Sequence, residues 1–179
     1  YEVASHGWRW IDYQNISKIE EKKHMKLAIQ SIKKIFGQRP LGWYTGRCSP
    51  NTRDLVMEEG GFLYDSDSYS DDLPYWEKRG KKKQLIVPYT LDNNDMRFAT
   101  NQGFNSGDQF YTYLKDSFDA LYNEGKINPK MMSVGLHCRL IGRPGRIQSL
   151  RRFLDYVLEF DDVWICKRID IAKHWVKNY

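Results

Sequence analysis

The 179-residue sequence predicts an α/β fold of parallel strand–helix units, and three observations carry the prediction. Short apolar runs of strand type alternate with longer segments whose apolar residues recur at helical spacing. Capping and breaking residues fall at the junctions between them. The strand-like runs are separated by helices of roughly ten to twenty residues, which suits parallel crossovers better than hairpins.

The elements follow in order. A short apolar run at Val3–Ala4 breaks into the loop Ser5-His6-Gly-Trp8-Arg-Trp10. Ser17-Lys-Ile-Glu20 has the form of a capping box, and Met25, Ala28, Ile29, Ile32, Ile35 and Phe36 follow at helical spacing. Gly37 and then Pro40 end that helix. Gly42–Asn51 lies between a predicted strand and a short helix that opens at Asn51–Thr52 and stops at Gly60–Gly61. Phe62–Asp65 reads as a strand. So does Leu85–Thr90, where Pro88 argues for an edge or irregular position. Ser106 caps a helix carrying Phe110, Tyr113, Leu114, Phe118 and Leu121, and Met131–His137 reads as a buried strand ending in a histidine. A helix around Ile147 to Phe160, a strand Val163–Cys166 and a last helix near Ile169 to Val176 complete the chain. No repeat, linker or low-complexity tract interrupts it, so residues 1–179 are expected to form a single domain.

Composition excludes several classes of function. The net charge is +5, with its sharpest cluster at Glu77-Lys-Arg-Gly-Lys-Lys-Lys83. That cluster lies on no periodic helix and has no base-stacking motif beside it, so it reads as a solvated loop and no nucleic-acid partner is expected. Nothing approaches the ~20 apolar residues of a membrane span, so no membrane partner is expected. Cys48, Cys138 and Cys166 are odd in number and widely spaced; they make neither a disulfide framework nor a zinc motif, and a cytoplasmic setting fits them.

In folds of this class ligands gather beyond the carboxyl ends of the strands. That rule selects His6, Asp65, the Asp92 region and His137. A histidine at a strand end titrates near neutrality and suits a general acid or base; the alternative is a structural histidine. Arg47 suits orientation of a carboxylate or a surface ion pair. Asp65, in the carboxylate-rich run Tyr64–Asp72, suits orientation of an imidazole or pairing with an arginine. That run lacks the glycine and glutamate of a calcium loop. Asp92 and Asp95 read as turn residues. Trp8, Trp10 and Trp43 suit the walls of a small flat pocket, and core packing accounts for each equally well. His24 and His174 lie in amphipathic helices and read as surface or packing residues.

These strings also resemble a known family. Glu-Val-Ala-Ser-His6-Gly-Trp resembles the second motif of the polysaccharide deacetylase (NodB-like) superfamily, Gly-Arg47-Cys-Ser-Pro-Asn its third and Leu136-His137 its fifth. The strings 6–14, 40–47, 58–67, 88–98, 134–146 and 168–175 resemble most closely its allantoinase branch, and together they extend the resemblance over essentially the whole chain. The resemblance implies a distorted (β/α) barrel, here its C-terminal part without the N-terminal strands, with a first motif and its catalytic-base aspartate preceding Tyr1.

It also implies hydrolysis of a C–N bond, most closely the cyclic amide of allantoin to give allantoate in purine catabolism, by a homo-oligomer. In that picture His137 protonates the leaving nitrogen, Arg47 holds the base aspartate, Asp65 (or Asp67) orients His137, and His6, Trp8, Trp10 and Trp43 contact substrate. Deacetylases of the family hold a divalent metal with an aspartate and an H-x-x-x-H pair. Here His6 fills the first position and Trp10 the second, and indole has no available lone pair. No metal is therefore expected, in agreement with the metal-independent allantoinase branch. Two alternatives stay open: a polysaccharide N-deacetylase using a metal such as zinc, and an inactive carbohydrate-binding or interaction domain.

Overall fold

The computed structural model describes all residues from Tyr1 to Tyr179 and divides into two compact units. The first comprises Tyr1–Pro88 together with Cys166–Tyr179, and the second is Tyr89–Ile165.

The first unit is built on helix α1 (Lys18–Phe36) and a small sheet. Ser17 Oγ accepts the Glu20 N–H at 3.3 Å, and Gly37 closes the helix at φ 76° with its N–H on the Lys33 carbonyl. Only this half of the expected capping box forms, because the Glu20 carboxylate turns to Lys23 and His24 instead. The buried stripe Met25, Ala28 and Ile29 packs on Trp43, Leu55, Val56 and Phe62. Strands β1 (Gly42–Trp43), β2 (Tyr64–Asp65), β3 (Tyr75–Arg79) and β4 (Lys82–Ile86) lie in the order β1-β2-β4-β3, and helix α2 (Thr52–Glu59) crosses from β1 to β2. The β1–β2 and β2–β4 pairs are parallel. Ser5 adds one more parallel bridge, to Trp43. Gly42 is required where it stands, since a Cβ there would run into the Tyr64 ring.

Two expectations are corrected here. The basic cluster at 77–83 is not a loop: it is most of a β3–β4 hairpin, antiparallel with Arg79 opposite Lys82 and Gly80 at φ 59° in the turn. Its lysines hide the strand signal, and a short charged strand is what a free sheet edge favours. β4 is also an interior strand, lying between β2 and β3. Pro88 falls beyond its last residue and does not mark an edge.

The unit closes with helix α6 (Arg168–Asn178). The Arg168 guanidinium donates to Ser66 Oγ at 3.0 Å, to the Pro88 carbonyl at 2.7 Å and to the Val87 carbonyl, gathering the ends of β2 and β4. Glu2 accepts from Tyr64 Oη (2.6 Å) and from the Ile169 N–H (2.9 Å), which places an acid at the amino end of α6.

The second unit is mainly helical. Helix α3 (Gly107–Gly125) is capped by Ser106, whose Oγ accepts the Gln109 N–H. Helix α4 (Cys138–Ile141) is a single turn, and α5 (Pro144–Val157) starts with proline in its first turn, where a missing N–H costs nothing. Phe110, Leu114 and Phe118 of α3 share a core with Ile141, Phe153 and Val157. Phe118 meets Phe153, Tyr156 and Phe160 edge to face. The strand expected at 131–137 contracts to one parallel bridge, Asn94 to Gly135, and 163–166 forms no strand. Apolar runs become strands only where a neighbouring backbone accepts the ladder.

Arg168→Ala should destabilise the folded full-length protein by about 2–4 kcal/mol, because it strips donors from two carbonyls and a hydroxyl. Urea unfolding measures this, with Arg168→Lys recovering only part because an ammonium lacks the guanidinium fork. A loss under about 0.5 kcal/mol, typical of an idle surface residue, would show the clamp to be dispensable.

Candidate active site

The second unit holds His137 against Asp95. Asp95 opens a 3-10 turn (Asp95–Ala99) and is fully buried. Its carboxylate accepts His137 Nδ1–H at 2.6 Å, the His137 backbone N–H at 2.7 Å and the Ile141 N–H at 3.1 Å. A backbone bridge brings the two segments together. Asp95 N–H donates to the Gly135 carbonyl, and Gly135 N–H to that of Asn93, at 2.9 and 2.8 Å. Asn94 caps the turn by accepting the Met96 N–H and donates to the Thr90 carbonyl and Tyr89 Oη. Gly135 is obligatory, since a Cβ would strike the Asn94 amide and the Tyr89 hydroxyl.

A carboxylate only accepts, so Nδ1 carries a proton and Nε2 is the nitrogen left for chemistry. The side chain of His137 is 23% exposed, which keeps the ring reachable. A buried carboxylate on the far nitrogen fixes the ring's orientation and tautomer. The pair is thus suited to general acid–base work.

Asp95 is the functional residue that sequence reasoning misses. It was expected to be a turn residue, and it is one, but its turn delivers the carboxylate to His137. Asp65 was expected to orient that histidine; the structure corrects this. Asp65 ends β2 without solvent exposure and is ion-paired to Arg53 of α2. Arg53 also donates to the Asp67 carbonyl (2.8 Å) and reaches Glu77 (3.2 Å). Burial pushes the Asp65 carboxyl above the ordinary range, and the Arg53 charge only partly offsets it. Asp65 therefore ties α2 to the sheet. The signal for Arg53 was its place in the first turn of a helix that must pack on β2, which a search for strand-end residues passes over. A recess of about 230 Å³ beside the pair is walled by Arg53, Asp65, Asp67, Glu77 and Arg79, and these groups are already engaged with their neighbours.

The remaining candidates lie in the first unit. His6 is exposed, in the loop past the Ser5 bridge, with its ring edge-on to Tyr44 at 5.0 Å. Trp8 is exposed. Trp10 is exposed as well, and its ring carries the Arg47 guanidinium at 4.5 Å from the centroid. Trp43 does not line a substrate wall as expected. It is 4% exposed and belongs to the core with Phe62 and Leu55, because β1 is packed beneath α1 and α2.

The donor set does not fit the metal of the family's deacetylases. At the second histidine position Trp10 presents an indole with a cation stacked on it.

No protein-family model matches the chain. It is 45% identical over 191 aligned residues to a Schizosaccharomyces pombe protein named "Putative polysaccharide deacetylase", covering 97% of this chain and 60% of that one. Among solved structures, that of a "probable Polysaccharide deacetylase" from Pseudomonas aeruginosa PAO1 shares 58% identity at a TM-score of 0.97, over all of this chain and 60% of its own. A structure named "Puue Allantoinase" gives the same identity, TM-score and coverage. The chain thus spans about 60% of the length of these relatives and shares their α/β fold throughout. Along its whole length the chain is similar to polysaccharide deacetylases.

Proposed function

We propose that the protein is an allantoinase-type hydrolase, opening the cyclic amide of allantoin to allantoate without a metal. The observation that carries this reading is Trp10 under Arg47, in the position where the family's metal-dependent deacetylases hold their second histidine. The likeness to an allantoinase over the whole chain supports it.

Hydrolysis adds water across the ring C–N bond: the carbonyl carbon gains the hydroxyl and the departing nitrogen gains a proton. His137 supplies that proton from Nε2, and Asp95 fixes the ring's orientation and tautomer. The aspartate that activates water is assigned to the family's first motif, outside Tyr1–Tyr179, with Arg47 as its partner. His6, Trp8 and Trp10 are assigned to substrate. Without a metal, the oxyanion depends on fixed donors, each worth roughly 3–4 kcal/mol in well-studied hydrolases. The setting that accompanies this reading is purine catabolism in the cytoplasm by a homo-oligomer. A second reading, sugar N-deacetylation, is favoured by the names of the yeast and Pseudomonas relatives.

Assay of the full-length protein on allantoin, with and without EDTA, separates the two. Turnover to allantoate that survives the chelator is expected; chelator-sensitive release of acetate from N-acetylated sugars, with no allantoate, favours the second reading. His137→Ala should lower kcat/KM roughly 100- to 10,000-fold, the span of a lost general acid, with the circular dichroism spectrum unchanged. Asp95→Asn should act in the same direction and shift the pH–rate profile, since an amide presents the imidazole with the wrong partner. Near-normal activity in either variant would remove that residue from the site.

A further inference from the structure

Arg47 sits on an exposed loop, yet the backbone on both sides of it is held by acids, one half-buried and one buried. On one side Asp67, just past β2, accepts the Thr45 N–H (2.9 Å) and the Gly46 N–H (2.7 Å), and its carboxylate also accepts a hydrogen bond from the Cys48 thiol. On the other, Glu21 of α1 is 4% exposed. It accepts Ser49 Oγ–H at 2.5 Å and Thr52 Oγ1–H. Those hydroxyls then accept backbone N–H groups themselves: Thr52 Oγ1 from Ser49, and Ser49 Oγ from Asn51.

The same helix reaches the other half of the stack. His24, one turn beyond Glu21, holds Tyr13 Oη at 3.1 Å, and the Tyr13 N–H donates to the Arg47 carbonyl at 3.1 Å. The segment that carries Trp10 and the loop that carries Arg47 are thereby referenced to one helix. A buried carboxylate satisfied by hydroxyl and backbone donors is rigid, since any movement strands a charge. A solvent-facing cation–π contact alone holds little.

We infer that Glu21 and Asp67 are positioning residues for Arg47, gripping the chain on either side of it so that the guanidinium lies over Trp10. Neither is assigned to substrate; both act through the loop. In its catalytic consequence the inference rests on the proposed function, while the geometry it predicts does not.

The test uses the full-length protein with ¹⁵N-labelled tryptophan, the Trp10 indole N–H resonance being identified by its absence in Trp10→Phe. Glu21→Gln and Asp67→Asn should move that resonance toward its position in Arg47→Ala. On allantoin, Glu21→Gln should lower kcat/KM by up to about 100-fold, as small misplacements do. The Glu21→Gln/Arg47→Ala double variant should be no slower than Arg47→Ala alone, because the two act as one unit. Ser49→Ala, which removes a single hydroxyl from the grip, repeats the test if Glu21→Gln fails to fold. An unmoved Trp10 resonance, or losses that simply add, overturns the inference. Wild-type protein inert on allantoin overturns the proposed function instead, and the resonance still decides the positioning role.

Discussion

A buried carboxylate has to be answered by donors, and in the turn at His137 that requirement organises everything nearby. Asp95 has no access to water, so His137 Nδ1, the His137 amide and the Ile141 amide are arrayed around it. The histidine's tautomer and the start of the one-turn helix both follow from satisfying one charge. Ion pairs with good geometry and a full complement of hydrogen bonds approach break-even in free energy, and removing one partner strands the other. The arrangement is therefore specific before it is stabilising.

The first unit applies the same rule to a different problem. Its strands β1 and β2 are two residues each, too short for a ladder to hold them. Side chains supply the missing ties: Asp65 to Arg53, Asp67 to the loop after β1, Arg168 across the ends of β2 and β4, and Glu2 to Tyr64 and α6. Polar staples of this kind fix register more sharply than apolar contact does, since each has one partner and one angle. The apolar cluster under α1 and α2 contributes the non-directional part of the stability.

Helices were legible because their signals are local. Ser17, Gly37, Ser106 and Gly60 mark boundaries through bonds that span three or four residues. His137 was legible because it ends an apolar run. Asp95 was not: Asn-Asn-Asp is an ordinary turn string, and what distinguishes it is a bond to a residue 42 positions away. The β3–β4 hairpin was hidden by its lysines, and Trp43 was indistinguishable in sequence from Trp8 and Trp10, though one is core and two face out. Asp65 shows the general limit. A strand-end acid looks the same whether it faces a ligand or a helix, and only Arg53 decides which.

The bond from Ile169 to Glu2 joins residues 167 positions apart, inside a unit whose two pieces flank the other unit in sequence. A chain emerging from the ribosome amino end first therefore meets an ordering problem. Residues 89–165 are contiguous and complete their helical core as soon as they are made. Residues 1–88 are synthesised earlier but must wait for Arg168 and Ile169, in the first turn of α6, before Ser66, the Pro88 carbonyl and Glu2 find their partners. Translation thus reverses the order in which the sequence presents its units: the later-made one is first to be finished, and the earlier one spends the interval without the Arg168 and Ile169 ties.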